Sequence, residues 1–434
     1  MQLTIEKMIY GGDGLARLPA DKNGRGKAAF IPFVLSAENV EAIIVEEKPG
    51  FVRAKAEALL TASPHRVAPA CPYFQRCGGC HYQHASYEHQ LEIKADILKE
   101  NLRRIAKLEL QQELIVHRSP PWNYRNRTRL KLQSVPQFAL GYYRLNSHDL
   151  LPVEQCPISS PLINQAIGKL WELGRAGRVA TQIVELELFA NSDDSHLLIE
   201  AYCAAETADS AKSWAEQLHQ ALPGAIGVTV FEERPSTPHP AAAAEPRLIT
   251  SSGTTTLDYK TRRAIYRVSA GSFFQINRHL TDELVEIVTA GSSGKTALDL
   301  YAGVGLFSSV LNREFERVIA VESSPTSHAD LLYNSPSNVK AVRATTEQYL
   351  KNAAGKLRPD LVVVDPPRGG LGEKVVRGLG ELVAPHITYV SCDPATLARD
   401  LGRLLSFGYR VEQAHLVDLF PQTYHVESVF RLVR

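Results

Sequence analysis

Long uncharged apolar runs are absent from this chain, and no basic stretch followed by an apolar one opens it at Met1. A membrane span and a secretory leader are therefore not expected, and the chain reads as a soluble, cytoplasmic protein without membrane contacts. Net charge is almost absent as well: 48 Lys and Arg stand against 47 Asp and Glu, for a formal +1. That excludes polyanion binding through the whole surface, so any such face has to come from local clustering of cations. Cysteine is scarce, six in 434 residues, and unevenly spread: Cys71, Cys77 and Cys80 are bunched, whereas Cys156, Cys203 and Cys392 are scattered. In a reducing compartment such bunching favours a metal over disulfides. What remains is ordinary globular material, 44% hydrophobic and 22% charged, over a length that suggests two or three domains. A monomer is expected.

Residues 1–60 read as short strands punctuated by glycine, notably Gly11-Gly12-Asp13-Gly14. This suggests a small OB-like β-barrel, either oligonucleotide-binding or purely structural. The bunched cysteines follow in Cys71-x5-Cys77-Gly-Gly-Cys80. Thiolates so spaced can converge on one iron–sulfur cluster or one zinc, the glycines letting the backbone fold tightly around it. Cys156, before a proline, is the best fourth ligand, and Cys203, inside an apolar stretch, reads as core. Residues 87–108 predict an amphipathic helix with Leu91, Ile97, Leu98, Leu102 and Ile105 on its apolar face and Lys94 off it; this helix can pack on the last domain. Beyond it, Arg125, Arg127, Arg129 and Lys131 alternate with other residues near Trp122 and Tyr124. On a strand that puts cations on one face beside aromatics, which suits RNA phosphates and stacked bases.

Residues 61–270 read as a central α+β region, with an exposed loop at 234–246 rich in proline and alanine. In 271–434, apolar runs at 296–301, 317–322, 338–342, 361–365 and 387–392 alternate with helical segments. This is the pattern of an α/β, doubly wound parallel sheet, and 410–417 with 425–433 predict an antiparallel hairpin at its edge. A Rossmann-like sheet ending this way resembles the class I methyltransferase fold, and such a domain is expected here.

Ligands of such sheets bind beyond the carboxyl ends of the strands, and three strand ends here carry chemistry. Asp299-Leu-Tyr301-Ala-Gly303-Val-Gly305 is a glycine turn whose third phosphate-binding glycine is missing, Ser308 standing there. That favours S-adenosylmethionine over a dinucleotide, with Glu322 placed to bond a ribose. Asp365-Pro-Pro-Arg368 ends another strand, and Ser391-Cys392-Asp-Pro a third. A helix starting after Asp393 is expected to lower the Cys392 pKa and make it a nucleophile. Glu427, an acid entering an apolar strand, suits proton abstraction. A thiolate adding to C6 of uracil makes C5 nucleophilic toward a methyl donor, and a base then removes the C5 proton so that the thiolate can leave. A base in folded RNA must be flipped out to be reached.

Taken with Phe273-Phe-Gln275-Ile-Asn277 and Phe420-Pro-x-Thr-x-His425-Val-Glu427, these motifs give the chain an end-to-end resemblance to the RNA 5-methyluridine methyltransferases. The branch it resembles carries an N-terminal TRAM domain and a 4Fe–4S cluster and acts on 23S rRNA. The resemblance implies that Cys392 is the nucleophile and Glu427 the base. It implies that Gln275, Tyr301, Gly303, Gly305, Glu322 and Asp365 surround S-adenosylmethionine, and that Cys71, Cys77, Cys80 and Cys156 hold an iron–sulfur cluster rather than zinc. Leu306 departs from it, since many relatives carry a cofactor-contacting Asn there. Three alternatives stand: a methyltransferase of the same kind acting on tRNA, an amino methyltransferase using the Asp-Pro-Pro element, and a non-catalytic iron–sulfur RNA-binding factor.

Overall fold

The computed structural model describes residues 1–20, 24, 26–203, 208–232 and 246–434. The loop expected at 234–246 lies outside these residues except for Pro246. Among the described residues the strands form sheets of six, seven and eight strands and one separate hairpin.

The six-stranded sheet is mixed and occupies the first 61 residues. Gln2–Thr4 pairs with Asn39–Glu47, which runs antiparallel to Phe51–Thr61, and that strand is parallel to Ala28–Pro32. Small and branched residues such as Leu3, Ala16, Ile31, Val40 and Val52 fill its core. Part of the predicted glycine turn is itself a strand, Asp13–Arg17, because only Gly11 and Gly12 take the left-handed backbone (φ 108° and 96°). A Cβ on Gly12 would lie 3.0 Å from the Cβ of His81, so this turn needs glycine for close approach as well as for its backbone.

The seven-stranded sheet spans the middle of the chain. Its basic strand Arg127–Gln133 pairs antiparallel with Ile183–Ala190, and Cys203 is buried in its core as expected.

The eight-stranded sheet positions the site. Val339–Arg343, Phe315–Glu322, Gly294–Leu300, Leu361–Val364 and His386–Ser391 lie side by side and parallel. All four residues of Leu361–Val364 are buried, as a strand covered on both faces requires. The last two strands pair antiparallel as predicted, but not as an outer hairpin. Glu427–Val433 slots between His386–Ser391 and Arg410–Val417, and the outer edge is a strand from the middle region, Leu114–His117.

The predicted helix is Tyr87–Asn101, continued by a π-helical turn, Leu102–Ala106. Leu98 and Leu102 share a core with Leu298, Ile387 and Leu432, so the helix packs on the eight-stranded sheet. Two of its residues differ from the sequence reading. Ile105 is 44% exposed, whereas Lys94 is fully buried, with Nζ 2.5 Å from Asp418 Oδ1 and 2.9 Å from the Phe420 carbonyl. Helical spacing places a lysine on a face but cannot foresee an acid 324 residues away. No helix among the described residues is long and apolar enough to cross a membrane.

Candidate active site

Strand register alone assembles the crevice. Leu300 pairs with Val364 and Val364 with Tyr389, so Tyr301, Asp365 and Cys392 all emerge at one edge of the sheet. Ser391 pairs antiparallel with Ser428, which sets the next residues, Cys392 and Glu427, across from each other at the end of that ladder. Directly opposed residues of antiparallel strands point to the same face, and the Ser428 hydroxyl donates to the Ser391 carbonyl at 3.3 Å beside them.

The glycine turn is folded onto an acid. The N–H groups of Gly303 and Ser324 donate to Glu322 at 2.9 and 2.7 Å. Gly303 and Gly305 have φ of 56° and 92°, and Tyr301, with φ 63°, shares this left-handed region. A non-glycine residue there is strained by about 1–2 kcal/mol, and Tyr301 is the residue that lifts the chain off the strand into the turn. Asp299 is buried below, accepting from Ser308 Oγ. Gln275 is buried on a segment whose backbone is held by Asn126 Nδ2 at 3.2 Å, and Leu306 is buried with its carbonyl bonded by the Tyr266 hydroxyl at 2.8 Å.

The electrostatics of the crevice are those of acids short of cations. Burial pushes Asp299 up to about 7 against the pull of its bonds from Ser308, and burial, then Asp299, pushes Asp365 to about 7. Burial, then Asp365, holds Glu427 well above the usual carboxylate range, with Arg368 opposing. Cys392 is likewise pushed up to about 12 by burial, Glu427 and Asp365. This reverses the sequence expectation of a lowered thiol. The helix Pro394–Ser406 does start beside it, but Asp393 caps that start, accepting from Ala395 N and Thr396 N at 3.0 and 2.8 Å. The free amides that would favour a thiolate are taken by a carboxylate.

A raised carboxylate in the folded state binds its proton more tightly than in the unfolded chain, so its stabilisation is complete at low pH and is lost as pH rises through about 7. Asp299→Asn removes this dependence. Between about pH 6 and about pH 8 the wild type is expected to lose about 1 kcal/mol relative to the variant, read by denaturant unfolding at both values; parallel losses would place the Asp299 titration elsewhere.

One neighbour of Cys392, Tyr10, carries no motif signal. Tyr10 reaches in from the first sheet, its hydroxyl 3.4 Å from the Cys392 carbonyl and its ring edge-on to Tyr424 at 5.4 Å. His81 and His425 flank Tyr424 at 4.6 and 4.3 Å. Burial, then Arg368, pushes His425 down to about 3, so it is a neutral imidazole.

Away from the crevice, Cys71, Cys77, Cys80 and Cys156 line one cavity of about 250 Å³ together with Gln83 and Arg125. Burial raises Cys71, Cys77 (to about 11) and Cys80. On the basic strand, Arg129 and Lys131 sit directly across from Glu187 and Glu185. Arg127 bonds Glu187 and Glu200, Arg129 bonds Glu187 at 2.5 Å, and Lys131 bonds Glu185. Three of the four cations expected to meet phosphate are thus already paired, because the neighbouring strand carries acids at the same two-residue period. Arg125 differs: its Nε is buried without a hydrogen-bond partner, and it lines both the cysteine cavity and a groove holding Phe273, which is 63% exposed.

Over nearly its whole length the chain is similar to several known proteins. A protein described as an "uncharacterized RNA methyltransferase" of Aquifex aeolicus is 33% identical over 99% of this chain and 97% of its own length. One of the same description from Thermotoga maritima is 30% identical over 100% of this chain and 99% of its own. Among solved structures, the Pyrococcus abyssi tRNA (uracil-54, C5)-methyltransferase in complex with S-adenosyl-L-homocysteine matches with a TM-score of 0.76 at 23% identity, covering 100% of both chains. The family model for tRNA (uracil-5-)-methyltransferase matches residues 86–434, beginning at the helix that packs on the eight-stranded sheet, and to that family this chain belongs.

Proposed function

We propose that this protein transfers a methyl group from S-adenosylmethionine to C5 of a uridine in RNA, with 23S rRNA as the leading substrate. The observation that carries this reading is the opposition of Cys392 and Glu427 at the end of one strand ladder, with Asp365 on the neighbouring strand end. S-adenosylmethionine supplies the electrophilic methyl group. Gln275, Tyr301, Gly303, Gly305, Glu322 and Asp365 surround it, and Asp299 supports the turn from below. Cys392 adds to C6 of the uracil, C5 becomes the nucleophile, and Glu427 takes the C5 proton as the Cys392–C6 bond breaks. Burial and the neighbouring acids raise both groups, and the positive charge of a bound donor would favour their ionised forms. Donor binding therefore readies the nucleophile and base.

In this reading residues 1–60 are a TRAM-type RNA-binding domain, 61–270 the iron–sulfur and RNA-binding region, and 271–434 the methyltransferase domain, in a cytoplasmic monomer. The four cysteines fit a 4Fe–4S cluster. A tetrahedral zinc site draws its sulfurs to roughly 3.8 Å apart. Among the described residues the one trio of candidate ligand atoms mutually within 4.8 Å is His65, His89 and Glu92, so no three of the four sulfurs crowd as one zinc requires. A chamber of about 250 Å³ suits the larger group, which would hold the fold of this region together.

The full-length likeness to a tRNA enzyme supports a second reading with the same chemistry on tRNA. Transfer of labelled methyl to unmodified 23S rRNA and to unmodified tRNA, with nucleoside analysis, separates them. 5-Methyluridine in rRNA alone supports the first reading and in tRNA alone the second, while methylated adenosine or cytidine, or no transfer, contradicts both. The pairing of the basic strand gives a further expectation. Arg125→Ala should weaken RNA binding and lower the slope of log affinity against log salt by about 1, whereas Arg129→Ala, whose cation faces glutamates, should leave that slope nearly unchanged in a filter-binding titration.

A further inference from the structure

Between Val417, which pairs with Glu427, and Glu427 itself the chain reverses direction through residues 418–426. This loop delivers the base, yet it is held largely from outside. Four consecutive carbonyls each have a donor from another part of the molecule. Asn277 Nδ2 bonds Leu419 O at 3.1 Å, Lys94 Nζ bonds Phe420 O at 2.9 Å, and the Tyr124 hydroxyl bonds Pro421 O at 3.0 Å. The N–H groups of His81 and Tyr82 both bond Gln422 O, at 2.8 and 3.0 Å. Gln90 completes the clamp: its Oε1 accepts from Gln422 N at 2.9 Å, and its Nε2 donates to Gln422 Oε1 at 3.0 Å and to Tyr82 O at 3.1 Å. Gln422 has φ 69°, a conformation a glutamine keeps only where its surroundings impose it.

Three of these holds trace to the four-cysteine chamber. His81 and Tyr82 directly follow Cys80, so the last ligand of the triplet and the donors to Gln422 lie on one short stretch of backbone. Tyr124 is buried in the same small apolar cluster as Cys80 and Ile158, against Cys156. Gln90 ties Tyr82 to the loop a second time. Fixing Cys80 therefore fixes the carbonyls of Pro421 and Gln422, and through the four residues that follow, Thr423 to Val426, the start of the strand that carries Glu427.

We propose that Tyr124 and Gln90 are positioning residues that transmit the geometry of the four-cysteine centre to the Glu427 loop, so that the metal centre sets the place of the base. The proposal rests on the reading of Glu427 as the base. It gives the cysteines a part in the reaction through backbone placement, without contact with substrate.

Amide hydrogen exchange tests it on the intact protein, before and after removal of its iron by oxidant and chelator. Exchange at residues 419–427 is expected to quicken about tenfold, with His386–Ser391 unchanged. Unchanged protection at 419–427, or a loss spread evenly over the chain, overturns the proposal. Because iron removal can unfold the whole region, Tyr124→Phe serves as the second arm: one hydroxyl is lost and every thiol stays. With iron content retained, loop exchange should quicken severalfold and kcat fall about tenfold at unchanged KM for RNA. Wild-type loop exchange and kcat in that variant would overturn the coupling. Iron analysis of the purified protein judges the metal reading separately, and the exchange readout of Tyr124→Phe stands whether or not methyl transfer is found.

Discussion

Glu427→Gln is expected to halt the protein on its RNA, with turnover lowered on the order of a thousandfold while a covalent protein–RNA complex accumulates. Glutamine nearly matches glutamate in shape but cannot take a proton at C5. In such a variant Cys392 can still add to C6 and C5 can still be methylated, but the C5 proton stays. The Cys392–C6 bond then cannot break by elimination. The complex should survive denaturing electrophoresis, depend on S-adenosylmethionine, and vanish in the Cys392→Ala, Glu427→Gln double variant. Cys392→Ala alone should bring turnover to background and form no complex. The register that pairs Ser391 with Ser428 makes this outcome specific to these two residues. Near-normal turnover in Glu427→Gln would mean that another group takes the proton, Asp365 being the acid whose charge raises Glu427. The removed negative charge has a second effect. Glu427 is, after burial, the largest influence raising the Cys392 thiol, so Cys392 in Glu427→Gln should react faster with iodoacetamide than in the wild type at the same pH.

Strand ends were readable from the chain because buried parallel strands are short apolar runs closed by turn residues. Asp299, Asp365 and Cys392 each stand at or beside such a closure, and the sheet delivers all three to one edge. The opposition of Cys392 and Glu427 was not readable. It depends on the last strand entering between two earlier ones, a choice made by packing on both faces and not by local pattern. The direction of the thiol shift failed for a related reason. A helix start is a local feature, but the acids that outweigh it, Glu427 and Asp365, arrive from other strands, and the cap that consumes it, Asp393, is decided by side-chain geometry. The basic strand shows the same limit. Alternation predicts a cationic face correctly, yet Glu185 and Glu187 on the adjoining strand decide whether that face is free. Tyr10 is invisible to any motif, since its role comes from the docking of the first sheet against the Cys392 strand end.

Lys94 and Asp418 are expected to be the most fragile ion pair among the described residues. Both side chains are fully buried and 2.5 Å apart. Lys94 also donates to Phe420 O at 2.9 Å, and Asp418 accepts from the Tyr87 hydroxyl at 3.0 Å. Burial alone pushes the Lys94 ammonium toward its neutral form, and Asp418 opposes that. Lys94→Met leaves a carboxylate in the core with only a phenol for company, a loss of about 3–5 kcal/mol. The double variant Lys94→Met, Asp418→Asn removes both charges, and most of that loss should return, because the pair's attraction is largely spent on its own desolvation. Urea unfolding of the two variants against wild type checks both values. A loss below about 1 kcal/mol in Lys94→Met would mean that the pair is neutral in the native protein. The double variant separates stability from placement: it restores the fold but not the donor to Phe420 O. Its unfolding midpoint should approach wild type while methyl transfer stays reduced, since one of the four carbonyls that hold the Glu427 loop is then without its donor.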